Sequence, residues 1–111
     1  MSKKSKKIKI SAIDEDVLTV LWGGREMYGL EILDEVNNGR PVILGYGSLY
    51  PALYRLENRD LVTAKWGEES QEAGGARRKY YKITGLGAIT LEEVREYRHQ
   101  LYLKSIQGQM Y

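Results

Sequence analysis

Apolar residues recur at helical spacing near the start of the chain, where Ile13, Val17, Leu18, Leu21 and Trp22 fall on one face. Ser11 precedes them with Asp14 three positions on, the spacing of a capping box that satisfies the first free amides of a helix. The pattern predicts a first helix ending at Gly23-Gly24. Leu30, Leu33 and Val36, with Ile32 beside them, predict a second helix that starts near Tyr28 and stops at Asn37-Asn38-Gly39, with Pro41 just beyond. After a loop to Gly45-Tyr46-Gly47, Ser48 reads as the N-cap of a third helix. Pro51 then falls in its first turn, where a missing donor costs nothing. Leu49, Leu53 and Leu56 follow the i, i+4, i+7 rule and face the core. At about 100° per residue the opposite face carries Pro51, Tyr54 and Asn58, flanked by Tyr50 and Arg55.

After Asn58-Arg59-Asp60 the period drops to two. Val62, Ala64 and Trp66 alternate with Thr63 and Lys65, which reads as a strand. Residues 67–76 have no apolar period and read as a flexible tip, and Lys79, Tyr81 and Ile83 alternate with Arg78, Tyr80 and Lys82 on the returning strand. Thr84 caps a long last helix. Two glycines in its first turn, Gly85 and Gly87, each cost roughly 0.5–1 kcal/mol relative to alanine and suggest a hinge there. Leu86, Ile89, Val94, Tyr97 and Leu101 form one apolar stripe on this helix; Leu91, Tyr102, Leu103, Ile106 and Met110 form another. Two stripes imply a helix sandwiched between its own domain and a second chain, with Val94, Tyr97 and Leu101 near the contact.

Three helices followed by a two-stranded hairpin is the element order of a winged helix-turn-helix, an α+β fold. The expected division is a flexible basic arm over residues 1–11, a winged helix-turn-helix domain over 12–84 and a C-terminal dimerisation helix over 85–111. In such a domain the third helix enters the major groove of DNA. Arg55 can then donate two parallel bonds to a guanine edge or a phosphate. Tyr50 and Tyr54 can donate to phosphate or pack on thymine methyls, and Ser48 sits at the helix start, where anions are favoured. Arg77, Arg78 and Lys79 on the hairpin can follow the phosphate backbone.

Charge sharpens this picture. The net charge of +2 hides five lysines in residues 1–11, namely Lys3, Lys4, Lys6, Lys7 and Lys9, ahead of an acidic stretch over 12–60 with four arginines against nine acids. The lysine arm is expected to contact phosphates. With 111 residues the chain fits one domain, and with no cysteine it has no disulfide, thiolate zinc site or thiol nucleophile. The single histidine, His99, leaves no basis for a metal centre or a catalytic triad, so neither metal nor cofactor is expected. Asp14, Glu15 and Asp16 interrupt what might pass for a signal-peptide core, and no apolar run is long enough to span a membrane. The expected location is cytoplasmic.

Three segments in matching order and spacing closely resemble the PadR family of bacterial transcriptional regulators. They are Tyr28-Gly29-Leu30-Glu31-Ile32, Gly47-Ser48-Leu49-Tyr50-Pro51-Ala52-Leu53-Tyr54-Arg55-Leu56-Glu57, and Gly74-Gly75-Ala76-Arg77-Arg78-Lys79-Tyr80-Tyr81-Lys82-Ile83-Thr84. The resemblance covers roughly residues 13–100 and looks like the smaller subgroup with one C-terminal helix. It implies a homodimeric repressor released from pseudo-palindromic double-stranded operators by a small effector, here of unknown identity, or by another signal. It also implies DNA contacts at Tyr28, Ser48, Tyr50, Arg55, Arg77, Arg78 and Lys79, with Tyr54 a weaker carry-over. Some short members bind flat aromatic drugs between paired tryptophans of the last helix. In this chain Trp22 and Trp66 lie elsewhere, and that helix carries Tyr97, His99 and Tyr102 instead.

Two other functions compete. Catalysis would have to use Asp14, Glu15 and Asp16, but a helix's first turn is where the backbone dipole favours acids in any case. Gly45-Tyr46-Gly47 lacks the third glycine and preceding strand of a dinucleotide loop. No enzyme is expected. The alternative is a winged helix that binds protein without touching DNA, which the acidic stretch over 12–60 would suit.

Overall fold

Ser11 and Asp14 close their capping box: Ser11 N–H donates to Asp14 Oδ2 at 3.2 Å, and Asp14 N–H donates to Ser11 Oγ at 3.1 Å. Helix α1 runs behind this cap over Ala12–Val20. The computed structural model describes residues 8–69 and 74–108. Lys3, Lys4, Lys6 and Lys7 of the expected arm, part of the expected hairpin tip, and Met110 lie outside them. Next come β1 (Met27–Tyr28), α2 (Gly29–Asn37), α3 (Tyr46–Asn58), β2 (Val62–Glu69), β3 (Arg77–Ile83) and α4 (Gly85–Gly108). The strands form one antiparallel sheet in the order β1-β3-β2. This is the winged helix-turn-helix that the element order predicts, with a third short strand added.

The core is built from the predicted stripes. Val17 and Leu18 of α1, with Leu21 at its C-cap, meet Ile32, Leu33 and Val36 of α2 and Leu49, Leu53 and Leu56 of α3, with Leu61, Val62 and Tyr81 closing the sheet side. Leu91 is the buried anchor of α4. Two positions of the predicted apolar helix faces, and Trp66 of the predicted strand, are exposed. Trp22 lies beyond the end of α1, where the Arg95 guanidinium sits 5.2 Å from its ring centroid. Leu30 points outward from the first turn of α2, and Trp66 stands where β2 has run past the edge of the core.

Two helix starts also differ from expectation. Helix α3 begins three residues early, with Gly45 as N-cap in place of Ser48, so Ser48 lies in the first turn and caps nothing by its side chain. Pro51 is consequently in the second turn, and the Gly47 carbonyl four residues back has no proline N–H to accept. Thr84 does cap α4: its Oγ1 accepts the Gly87 N–H at 2.9 Å and donates to the Asp60 carbonyl at 2.7 Å. Of the two glycines expected to form a hinge, Gly85 has open space around it and Gly87 is closely packed. A Cβ on Gly87 would sit 2.2 Å from the Leu61 carbonyl oxygen, so the glycine permits close packing of α4 on the turn after α3. The same carbonyl accepts the Thr84 N–H at 3.1 Å, which bolts the start of α4 to the end of α3.

Residues 8–11, expected as the end of the free arm, pack. Ile8 and Ile10 lean on the core, and the Lys9 carbonyl accepts Arg59 Nη1 at 2.7 Å. The loop from α2 to α3 is pinned as well. Asn37 Nδ2 donates to the Leu44 carbonyl at 2.9 Å, its Oδ1 accepts the Leu44 N–H at 2.8 Å, and Arg40 pairs with Asp16.

Candidate nucleic-acid interface

Pairing of β1 with β3 sets Met27 opposite Tyr81 and Tyr28 opposite Tyr80, which brings the start of α2 to the root of the hairpin. Tyr28 is the N-cap residue of α2, and its N–H donates to Glu31 Oε1 at 3.2 Å. Its ring meets Tyr80 edge to face at 5.6 Å, and the Arg78 guanidinium lies 4.3 Å from its centroid. A guanidinium over an aromatic face is held by the ring quadrupole and stays charged while presenting its edge outward.

Tyr50 approaches the same place from α3. Its hydroxyl lies close over Gly29, where a Cβ would sit 2.4 Å from that oxygen, so any larger residue there would push the Tyr50 ring aside. Tyr46 stacks on Tyr50 with centroids 5.4 Å apart. Burial first, and the nearby Tyr46 second, raise the Tyr50 hydroxyl above the ordinary tyrosine range, so it remains a protonated donor at neutral pH. Tyr81 is raised likewise, by burial foremost and then by Glu57 and Tyr50.

Tyr28, Gly29 and Tyr50, with residues of the hairpin, line a cleft of about 420 Å³ between α2, α3 and the hairpin. Five predicted site residues meet there: Tyr28, Tyr50, Arg77, Arg78 and Lys79. Trp66 and Tyr81 join them and were not predicted, because the sequence places them only as alternating residues of two strands. No sequence signal marks Trp66: the chain after it reads as the hairpin tip, whereas β2 continues to Glu69 and carries the exposed ring with it. Each hairpin cation is already placed by an internal contact. Arg77 Nε donates to the Gly67 carbonyl at 2.9 Å, and Lys79 Nζ lies 3.2 Å from Glu57 Oε1 and 5.7 Å from the Trp66 centroid.

The other three predicted residues lie on α3 away from the cleft. Tyr54 is 68% exposed at the middle of the outward face, the most accessible aromatic ring of that helix. Ser48 and Arg55 share its far flank, toward α1. Arg55, expected to point away from the packed part of the domain, instead donates from Nη2 to Oδ1 of the buried Asp14 at 2.9 Å. The guanidinium thus compensates a buried carboxylate.

The acids of residues 12–60 are largely engaged or set apart. Glu15 accepts both Arg98 Nε and Nη2, at 3.1 and 2.9 Å to Oε2, and Glu26 pairs with Lys65 at 3.3 Å. Glu26, Glu31, Asp34 and Glu35 line a separate groove beside α2. Among the described residues no three His, Asp or Glu side chains gather as a metal site would need, and no helix is long and apolar enough to cross a membrane.

The chain is 35% identical over 72 residues to an uncharacterised protein of Lysinibacillus sphaericus, a match that spans 63% of each chain. Among solved structures, a PadR-like transcription factor of Bacteroides fragilis is 32% identical and superposes with a TM-score of 0.74, covering 86% of this chain and 87% of that one. A PadR family transcription regulator of Clostridium difficile is 34% identical at a TM-score of 0.69, covering 89% and 97%. The sequence model of the transcriptional regulator PadR-like family matches residues 17–93, nearly all of the winged domain and the start of α4. By that match, and by the fold and helix order it shares with these structures, the chain belongs to the PadR-like family of transcriptional regulators.

Proposed function

We propose that the protein is a homodimeric repressor that binds a pseudo-palindromic DNA operator, with α3 in the major groove and the hairpin on the adjacent backbone. The observation that carries this is the cleft where three hairpin cations, the N-terminus of α2 and the Tyr50 hydroxyl converge beside the outward face of α3. A phosphate–sugar strand offers what these groups complement: anionic oxygens for Arg77, Arg78 and Lys79, and an apolar sugar face for the tyrosines and Trp66. Tyr54 and Ser48 then approach the base edges and phosphates of the groove that α3 occupies, with Arg55 at its α1 flank.

Dimerisation is supported by the uncovered apolar length of α4. Tyr97 and Leu101 are exposed, and Val94 and Tyr97 border a groove of about 500 Å³ beside Ile8 and Ile10, which the partner's α4 would fill. A two-fold dimer duplicates the reading helix, as a pseudo-palindrome requires. The lysines preceding Ile8 would add phosphate contacts. Each phosphate neutralised contributes about −0.9 to the slope of log affinity against log salt.

Gel shift of genomic fragments across a salt series tests the proposal. Retention of a discrete subset of fragments, with affinity falling as salt rises, is expected. Removing residues 2–7 is expected to reduce the slope by about 2–4 per dimer, on all sequences alike. Failure to retain any fragment at low salt would favour the protein-binding winged helix instead.

A further inference from the structure

Asp14 is 1% exposed, and both of its carboxylate oxygens are engaged. Oδ2 accepts the Ser11 N–H at 3.2 Å and so completes the helix cap, while Oδ1 accepts Arg55 Nη2 at 2.9 Å from a residue 41 positions along the chain. A cap needs only the first of these. The second ties the start of α1 to the flank of α3 through a guanidinium whose side chain remains 39% exposed. A guanidinium has five N–H donors in one plane, so the bond to Asp14 leaves donors for another acceptor.

From this geometry we infer that Asp14 is a positioning residue for operator recognition: without touching DNA, it fixes the plane of the Arg55 guanidinium so that its outer donors meet the duplex in one orientation. The inference rests on the DNA-binding function proposed above. A free arginine loses rotamer freedom when it engages a base edge, whereas one held by a buried carboxylate has lost that freedom on folding. A held guanidinium also cannot swing to a neighbouring phosphate when the base is wrong. Wrong sequences therefore lose a bond without compensation, and discrimination rises more than overall affinity. The short reach of Asp14 from a capped helix start makes the orientation rigid, since the same carboxylate is fixed at its other oxygen.

The test compares variants of the full-length protein on two probes: the duplex that the wild-type protein enriches from a random-sequence pool, and the unselected pool itself. Asp14→Asn is expected to bind the unselected pool within about twofold of wild type while its preference for the enriched duplex falls about fivefold or more. Arg55→Ala is expected to lose the same preference, and the double variant no more than Arg55→Ala alone. Arg55→Lys keeps a charge against Asp14 but lacks the fork, so it should fold and still lose the preference, which carries the test if Asp14→Asn is unfolded. Ser11→Ala removes the hydroxyl half of the cap and should lower the melting temperature with the preference unmoved.

Equal losses on both probes, multiplying losses in the double variant, or an unchanged preference in Arg55→Lys would each overturn the inference, as would a lost preference in Ser11→Ala. A wild-type protein that enriches no sequence while binding nothing at low salt overturns the DNA-binding function itself, and this inference with it.

Discussion

Helix α3 carries one apolar stripe and α4 two, and the apolar residues of the two helices meet opposite fates. Every leucine of the α3 stripe is buried within the chain, Leu49, Leu53 and Leu56 at no more than 1% exposure. On α4 only Leu91 reaches that state, while Leu86, Ile89, Tyr97, Leu101, Tyr102, Leu103 and Ile106 remain 37–63% exposed. A stripe satisfied inside one chain builds the fold. An apolar surface that the chain leaves uncovered is the kind that marks interaction sites, and the proposed dimer contact is placed there.

That contrast can be broken most severely by truncation. Ending the chain before Glu96 removes the uncovered half of α4 and leaves Leu91 and the winged core in place. The shortened protein is expected to sediment as a monomer and to bind the operator about 100-fold more weakly or worse, because linked half-site binding is lost. Circular dichroism should still report the winged domain. On α3 the opposite outcome is expected: Leu56→Ala costs about 2–5 kcal/mol of stability through lost burial and a residual cavity, read by urea denaturation. Leu101→Ala, removing the same atoms from the uncovered stripe, should leave the denaturation of a dilute monomer nearly unchanged.

Polar contacts sharpen the comparison at lower magnitudes. Arg55→Ala strands the Asp14 carboxylate away from water and is expected to cost about 2–3 kcal/mol, measured by the same denaturation. Gly87→Ala drives a Cβ into the Leu61 carbonyl and is expected to cost about 1–3 kcal/mol as α4 is levered from the turn after α3. The smallest effect belongs to Arg98→Ala. The Glu15 bond raises the affinity of the Arg98 guanidinium for its proton, but the arginine lies open to solvent, so the melting curve should barely move.

What could be read along the chain, and what could not, divides on physical lines. Local rules placed Ser11 with Asp14, Thr84 at the start of α4, and the leucines of α3, because caps and helical periods involve residues within about one or two turns. The two residues of β1 have no period of their own and become a strand only by pairing with Tyr80 and Tyr81. Trp22 and Leu30 fitted a helical face by spacing, yet one lies past the end of its helix and the other turns outward in a first turn. The start of α3 was misplaced because Ser48 is a good cap by composition, whereas the chain turns at Gly45.

The candidate interface divides the same way. Tyr28, Tyr50, Arg77, Arg78 and Lys79 were legible as residue types and through family resemblance, and the sheet register brings them to one cleft. The Asp14–Arg55 bond was not legible, since it joins residues on two helices and neither periodicity shows which flank of α3 faces α1. Gly87 was read through its conformational cost, but its role depends on a carbonyl 26 positions earlier.

The central claim, that α3 reads DNA while the uncovered stripe of α4 joins two copies to do so, is tested most directly by stoichiometry. Sedimentation velocity of the full-length protein with an enriched duplex measures the mass of the complex. Two copies of the chain on each duplex are expected, with two copies also present when no DNA is added. A single copy bound tightly to the duplex, or a dimer that leaves the duplex free at low salt, would contradict the account.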